Sequence, residues 1–485
     1  MRKFESNVQL LKYRILKEVC KVAIEDPDEG KFENIPEMIV NEESPRMRCC
    51  IYKERAITKD RVKLARGGDK TNSNVIEVLN SACDECPINR FTVTEACRGC
   101  IAHKCMDICP VNAITHVGQR AYINPKLCIE CGKCKSVCPY DAISDVRRPC
   151  VKACGVNAIS IDNKKKASID NDKCIQCGAC VYQCPFGAIE DKSYVCEIIE
   201  LLKKSKIDNK LKVYAVIAPA ISSQFTSTKI GQIVTGIKKI GFHDVVEAAL
   251  GADIIALNEA KEFKEVLDEK EFMTTSCCPA FVAHIKKNYP TLEGNISSSV
   301  SPMIAISKLI KNIEPEAKVV FIGPCTAKKM EIQQEELKGF TDFVMTFEEL
   351  QAMLDAMDIN VEECEEGKLN NASFFGRIFA RSGGVTESIK HIIEEQNIDV
   401  EFKPIVCDGL KACDIALKMA KVNKSKGNFI EGMACSGGCI GGAASLSHGT
   451  KDKTEVDKYG NLAHEKNIIN SLRVLDLKDI NFKRK

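Results

Sequence analysis

The sequence predicts two unlike parts in series: a small cysteine-rich α+β domain, then a larger α/β domain with largely parallel sheets. Two observations carry this reading. Between Cys83 and Cys184 there are 16 cysteines in 102 residues, many followed by Pro or by an apolar-Ala-Ile segment such as VNAI, YDAI and FGAI, which is an internal repeat. From about residue 212 onward the cysteines thin out, and short apolar runs alternate with amphipathic segments, as strands and helices do around a parallel sheet.

Residues 1–80 set apolar residues at helical intervals among mixed charges (VQLLKYRILKEV) and read as an N-terminal helical region without an assignable role; their Cys49-Cys50 pair fits no ligand pattern. Residues 81–195 hold the cysteine repeat. Residues 196–211, inside the lysine-rich EIIELLKKSKIDNKLK, read as a linker or as the last helix before a new domain. Residues 212–450 open on the strand-like VYAVIAPA, pass through a helix at IGQIVTGIKKI and the strand-like VVFIGPC, and enter another helix at Thr346 with Glu349 three residues on, a capping box. The remaining cysteines fall at or just beyond strand-like ends, in MTTSCC, VVFIGPC and FIEGMAC. Ligands of open α/β sheets gather outside the carboxyl ends of strands, so three segments could bring thiolates to one site. Residues 451–485 read as a short lysine-rich C-terminal tail.

The 69 basic and 67 acidic side chains nearly cancel, which removes any global argument for nucleic acid or for an anionic membrane surface. Residues 1–20 interleave charges with apolar residues, unlike a signal peptide, and no stretch approaches transmembrane length, so a cytoplasmic protein is expected. In a chain of this size the 28 cysteines, at metal-ligand spacings, read as thiolate ligands rather than disulfides.

Two segments match the bacterial ferredoxin pattern without a gap: Cys128-x2-Cys131-x2-Cys134-x3-Cys138-Pro and Cys174-x2-Cys177-x2-Cys180-x3-Cys184-Pro. Cys97-x2-Cys100-x4-Cys105-x3-Cys109-Pro is an expanded version, and Cys150-x3-Cys154 keeps the last two positions. The fourth cysteine of such a motif ordinarily serves the neighbouring cluster. Swapped ligation therefore groups Cys97, Cys100, Cys105 with Cys138; Cys128, Cys131, Cys134 with Cys109; and Cys174, Cys177, Cys180 with Cys154. Cys150 and Cys184 are left over, and Cys83-x2-Cys86 could complete a fourth set, for three to four accessory 4Fe-4S clusters. The competing reading of Cys83 and Cys86 is a small zinc site with Cys97 and Cys100. Clusters in series conduct single electrons, so this ferredoxin-like domain needs an electron sink.

Three later motifs carry a resemblance: Thr275-Ser276-Cys277-Cys278-Pro279-Ala280, then Gly323-Pro324-Cys325-Thr326-Ala327-Lys328-Lys329, then Glu431-Gly432-Met433-Ala434-Cys435-Ser436-Gly437-Gly438-Cys439. Their order and content resemble the signature segments of FeFe hydrogenases, in the branch with TSCCPA as first motif, and the similarity runs from about 212 to 445. The resemblance implies a catalytic domain like the iron hydrogenase large subunit, carrying an H-cluster: a 4Fe-4S unit plus a diiron unit with CO, cyanide and a dithiolate. It implies Cys278, Cys325, Cys435 and Cys439 as ligands, with Cys439 bridging the two halves. Cys277 matches the thiol that passes protons on, Lys328 the lysine that holds a cyanide, and Ala218-Pro219-Ala220 a loop facing the diiron unit. Pro302, Phe379 and Met433 match residues that wall the cluster from water, and Glu259, Glu262 and Ser297 match a proton path to Cys277. The sequence departs from the family pattern at Gly323 (commonly Met), Ser436 (Pro), Ala280 (Gly) and Ala443 (within a glycine run), all beside ligands.

Other residues have plainer readings. Cys20, Cys196, Cys364, Cys407 and Cys413 are expected as small buried hydrophobes, and His103 and His284 receive no ligand role. Paired acids on a helix are often a solvated face, which is the competing reading of Glu259 and Glu262. The resemblance implies ferredoxin as electron partner and maturation proteins that load the cluster. Two other classes share the motifs: an H2 or redox sensor, for which residues 446–485 leave no room for a signalling domain, and a hydrogenase-like iron-sulfur protein lacking the diiron unit.

Overall fold

The structure, a computed structural model, describes residues 4–25, 27–41, 44–45, 47–86 and 89–484. Three helices come first, Asn7–Glu25, Glu29–Ile39 and Ile51–Ala65. Ile15, Leu16, Val19, Cys20 and Ala23 lie along one face of the first and are buried. That face joins the core of the later α/β part, so the opening helices are built into the molecule.

The cysteine repeat folds into four short antiparallel pairs: Phe91–Val93 with Ile143–Asp145, Ile114–Val117 with Arg120–Ile123, Ile159–Ile161 with Ala167–Ile169, and Ile76–Val78 with Ile189–Asp191. The repeat unit has a local cause. Three residues after Cys109, Cys138, Cys154 and Cys184 stand Asn112, Asp141, Asn157 and Gly187, with φ of 51°, 47°, 52° and 54°. Gly, Asn and Asp tolerate this left-handed backbone best. It turns the next amide, always that of an alanine, back onto the cysteine sulfur at 3.2–3.4 Å. The isoleucine that follows is buried in each unit (Ile114, Ile143, Ile159, Ile189).

The segment expected as a linker or last helix forms the helix Val195–Ile207, which buries Val195, Ile198, Ile199 and Leu202. Beyond it lie two parallel sheets. One has four strands in the order Asp244–Glu247, Val213–Ile217, Lys318–Gly323, Phe343–Thr346; the other has three, in the order Met273–Thr274, Phe429–Met433, Pro404–Asp408. The α/β and α+β fold classes expected from the sequence are the ones present. The capping box forms: Thr346 Oγ1 accepts from the Glu349 amide at 3.2 Å, and Glu349 Oε2 accepts from the Thr346 amide at 2.6 Å. Helix Ala248–Leu267 runs through the centre, buried along most of its length. Gly251 permits this, since a Cβ there would lie 2.2 Å from the Pro302 carbonyl oxygen at the start of helix Pro302–Ile313.

The expected C-terminal tail is a correction. Residues 451–485 include helices Asp452–Asn461 and Ile468–Leu472, whose Val456, Tyr459, Ile468 and Leu472 are buried. Apolar residues hidden among the lysines dock the segment on the α/β core. Among the described residues no helix is long and apolar enough to cross a membrane.

Candidate iron-cluster sites

Four strands of the two parallel sheets end at one place. Val213–Ile217 runs into Ala218-Pro219-Ala220, Met273–Thr274 into Cys277-Cys278, Lys318–Gly323 into Pro324-Cys325, and Phe429–Met433 into Ala434-Cys435. Cys439 opens a short 3-10 turn after Gly438, whose φ is 89° and whose Cβ, if present, would sit 2.6 Å from the Ser382 amide nitrogen. Burial pushes the Cys325 thiol up to about 11 and the Cys439 thiol up to about 12, and Cys435 well above its ordinary value. The next cause in every case is another thiol of the set: Cys278 and Cys325 act on Cys435 and Cys439, and Cys278 acts on Cys325. Cys278, Cys325, Cys435 and Cys439 therefore share one buried site. Closely set buried thiols hold protons firmly until a soft metal replaces them, so this donor set fits an iron-sulfur group.

Lys328 lies beside the site, its Nζ 2.8 Å from Glu331 Oε2 and 3.4 Å from the Cys277 carbonyl oxygen. Met433, Phe379, Ala218 and Ala220 belong with Cys277 to one buried apolar group. Pro219 is half-buried in its loop, and Pro302 begins the helix held against Gly251. Gly323 has a steric reason to be glycine: a Cβ would lie 2.6 Å from the ring of Phe321 and 3.1 Å from the Ala218 Cβ. The Phe321 ring fills the space a longer side chain at 323 would need.

The acids are placed as a chain. Glu259 is fully buried, and its Oε1 accepts from the amide and the hydroxyl of Ser276 at 3.2 and 3.1 Å. Burial first, and Glu262 second, raise the Glu259 carboxyl to about 7. Ser297 Oγ donates to Glu262 Oε2 at 2.7 Å, and Glu259 Oε2 is buried without a hydrogen-bond partner. Burial raises the Cys277 thiol well above its ordinary value, and the Glu259 charge adds most to that rise after burial. Glu262 lines an open groove of about 590 Å³ with Asn258, Lys261 and Glu265. Glu259 is thus buried beside the first motif, whereas Glu262, three residues on, is half-buried at the groove.

The repeat cysteines gather in sets. Cys97, Cys100, Cys105 and Cys138 line one cavity of about 30 Å³. Burial raises Cys134, with Cys128 and Cys131 adding to the rise, and Cys109 packs in the same apolar group. Burial raises Cys177 to about 12, and Cys174 and Cys154 act on it and on Cys180. Amides donate to the sulfurs of Cys97, Cys128 and Cys174 at 3.4 Å. Cys177 also feels Cys278, and Cys177 and Cys435 line one cavity of about 500 Å³, so this last set borders the strand-end site. The zinc reading of Cys83 and Cys86 with Cys97 and Cys100 is not formed: Cys83 packs with Cys150 and Cys184, whereas Cys97 and Cys100 line the separate cavity. The antiparallel pairing of Ile76–Val78 with Ile189–Asp191 brings the chain just before Cys83 beside the strand that follows Cys184.

Sequence reasoning missed several residues. Ser276, inside the first motif, holds Glu259. Glu331, three residues after Lys328 and so on its face of the helix, also accepts from Ser301 at 3.0 Å and Arg484 at 3.4 Å. Lys329 is fully buried between Asp191 and Glu349, at 2.8 and 2.7 Å. The signal for Ser276 and Glu331 was their place within or just after a motif; Arg484 had none.

Residues 211–443 match the family model described as iron only hydrogenase large subunit, C-terminal domain, and residues 121–144 and 167–190 match the 4Fe-4S binding domain. The chain thus carries an iron-only-hydrogenase-type domain together with 4Fe-4S binding domains. Iron hydrogenase 1 of Clostridium pasteurianum is 29% identical over 289 residues, covering 50% of this chain and 50% of that protein. The chain spans about half the length of that relative. A cytosolic Fe-S cluster assembly factor of Meyerozyma guilliermondii is 28% identical over 184 residues, 33% of this chain and 34% of that protein. A solved FeFe hydrogenase shares the fold at a TM-score of 0.51 and 20% identity, over 59% of this chain and 94% of that one.

Proposed function

We propose that the chain is an FeFe hydrogenase that interconverts H2 with protons and electrons at an H-cluster, in the cytoplasm. One juxtaposition carries the reading: the four-thiol site at the strand ends meets the relay thiol Cys177 on one side and the Cys277–Glu259–Ser297–Glu262 chain on the other. A site that needs both electrons and protons receives both here.

Cys278, Cys325, Cys435 and Cys439 would hold the 4Fe-4S unit, with Cys439 shared with the diiron unit, and Lys328 would hold a cyanide by a charge-assisted hydrogen bond. When bound, the diiron unit supplies an open iron site for heterolytic H2 chemistry. The protein's residues do the rest. Cys277, protonated through the neutral range, holds a proton at its Sγ next to the site. Glu259 takes it, and Ser297, whose hydroxyl donates to Glu262 at 2.7 Å, would give its hydrogen to Glu262 as its Oγ accepts the proton from Glu259. Phe379 and Met433 keep water out.

Electrons would enter through the outer sets. Cys131, Ile101, Leu127, Ile129 and Tyr140 are exposed there, as are Lys104, Lys126, Lys133 and Lys135 and the acids Asp107, Glu130 and Asp141. A soluble ferredoxin would exchange electrons at these exposed outer sets, and hydrogenase maturation proteins would load the H-cluster.

The second reading, an iron-sulfur assembly protein without the diiron unit, draws on the similarity to the assembly factor. Hydrogen evolution by anaerobically matured protein with a chemically reduced dye separates the two. Turnover in the parent, lost by about 10²–10⁴-fold in Cys277→Ala with iron content unchanged, supports the hydrogenase; no turnover at full iron loading supports the assembly protein.

A further inference from the structure

Cys83, Cys86, Cys150 and Cys184 come from three separate segments, and swapped ligation leaves them outside the other three cluster sets. Cys83, Cys150 and Cys184 are buried in one apolar group beside Cys180. Cys86 lies within electrostatic reach of Cys83 and Cys184, and Cys150 of Cys184, Cys86 and Cys83. The sulfurs are prepared for negative charge: the Ala167 amide donates to Cys83 at 3.3 Å and the Ala188 amide to Cys184 at 3.2 Å. Guanidinium groups close the site. Arg61, only 3% exposed, bonds Glu190 and the Phe186 carbonyl (3.0 Å) and leaves its Nε without a partner within the field of Cys184. Arg48 donates through Nη2 to the Ala82 carbonyl at 3.1 Å, and its Nη1 pairs with Asp84 and Glu85, each at 3.4 Å, within the field of Cys86. Gly187 keeps a Cβ away from this corner, where it would stand 2.7 Å from Arg61 Nη2.

We propose that these four cysteines bind a further 4Fe-4S cluster, assembled by grafting Cys83-x2-Cys86 onto the shortened Cys150-x3-Cys154 motif, and that this cluster joins the outer relay sets to the inner one. The inference rests on the reading of the cysteine repeat as a relay. The unpartnered Arg61 Nε would bond a cluster sulfide, and the nearby Arg48 cation adds positive charge, which favours the reduced, more negative form. The position follows from the chain. Cys150 and Cys154 share the short helix Pro149–Ala153 and its end, and Cys180 and Cys184 share Ala179–Gln183 and its end, so the new site and the Cys174–Cys177–Cys180–Cys154 set abut across two helices. Arg148, beside Cys86, follows directly on the strand Ile143–Asp145 of the outer lobe. Each passage moves one electron and changes no bond.

The test is metal analysis and quantitative electron paramagnetic resonance of reduced, matured protein, for the parent and for Cys83→Ser/Cys86→Ser. The expected result is zinc-free parent protein and a variant that loses four irons and one accessory spin per chain. The variant should keep its H-cluster infrared bands but lose at least tenfold of ferredoxin-driven turnover. Tightly held zinc in the parent, or an unchanged iron and spin count in the variant, would overturn the proposal. If the double variant does not fold, potentiometric titration of the parent decides, with four accessory spins expected and three contradicting. Parent protein without H-cluster bands but with four accessory spins would sink the hydrogenase reading and leave this cluster standing.

Discussion

A carboxyl that is fully buried yet ionises near neutrality can both take and give a proton, and Glu259 is such a group. Glu259→Gln keeps the shape and removes the proton exchange; turnover is expected to fall about 10²–10⁴-fold, with cluster absorption unchanged. The same carboxyl sets a pH dependence of stability. Its folded value of about 7 lies above the ordinary 4.5, so between these the folded state binds more protons than the unfolded, and stability falls as pH rises. The loss is absent below pH 4.5, complete above pH 7, and amounts to about 3 kcal/mol at most. Anaerobic urea unfolding at pH 5 and pH 8 should show Glu259→Gln gaining on the parent at the higher pH; equal differences at both would contradict the buried, neutral carboxyl. At this scale the motif cysteines were legible because covalent spacing is written in sequence. Glu331 and Arg484 were not, because their contacts depend on a helix face and a folded C-terminal segment.

At the scale of elements, the repeat and the two sheets follow from local rules. The apolar-Ala-Ile repeat after the motif cysteines, the capping box at Thr346 and the apolar runs of the strands were all readable in order. Contacts between distant elements were not. The close approach of helix Ala248–Leu267 to Pro302 depends on Gly251, one small residue among several in AALGADIIAL. Gly251→Val should force the two helices apart and lower stability by about 1–3 kcal/mol, read as a lower unfolding midpoint with a blunted Glu259 chain; an unchanged midpoint would show that the crossing is loose. The C-terminal helices stayed hidden for a similar reason, since four buried side chains among many lysines give no clean periodicity.

Across the whole molecule, the relay and the α/β part are held together by a buried ionic network. Lys329, next to Lys328, bridges Asp191 of the relay to Glu349, and Lys12 of the first helix bridges Asp191 to Glu348 at 2.7 and 2.6 Å. Such pairs are costly to break one side at a time. Lys329→Met leaves Glu349 without its cation, and denaturant unfolding should show a loss of about 3–5 kcal/mol; a neutral result would mean that the halves are joined by apolar packing alone. The network fixes the Asp191 end of the repeat against the α/β part, and the proposed function puts a hydrogen-converting group at the strand-end thiols. Infrared spectroscopy of anaerobically matured protein tests that claim most directly. CO and cyanide stretching bands, retained in Cys277→Ala and lost when Cys439 is replaced, are the expected result, and fully iron-loaded protein without those bands would contradict the account.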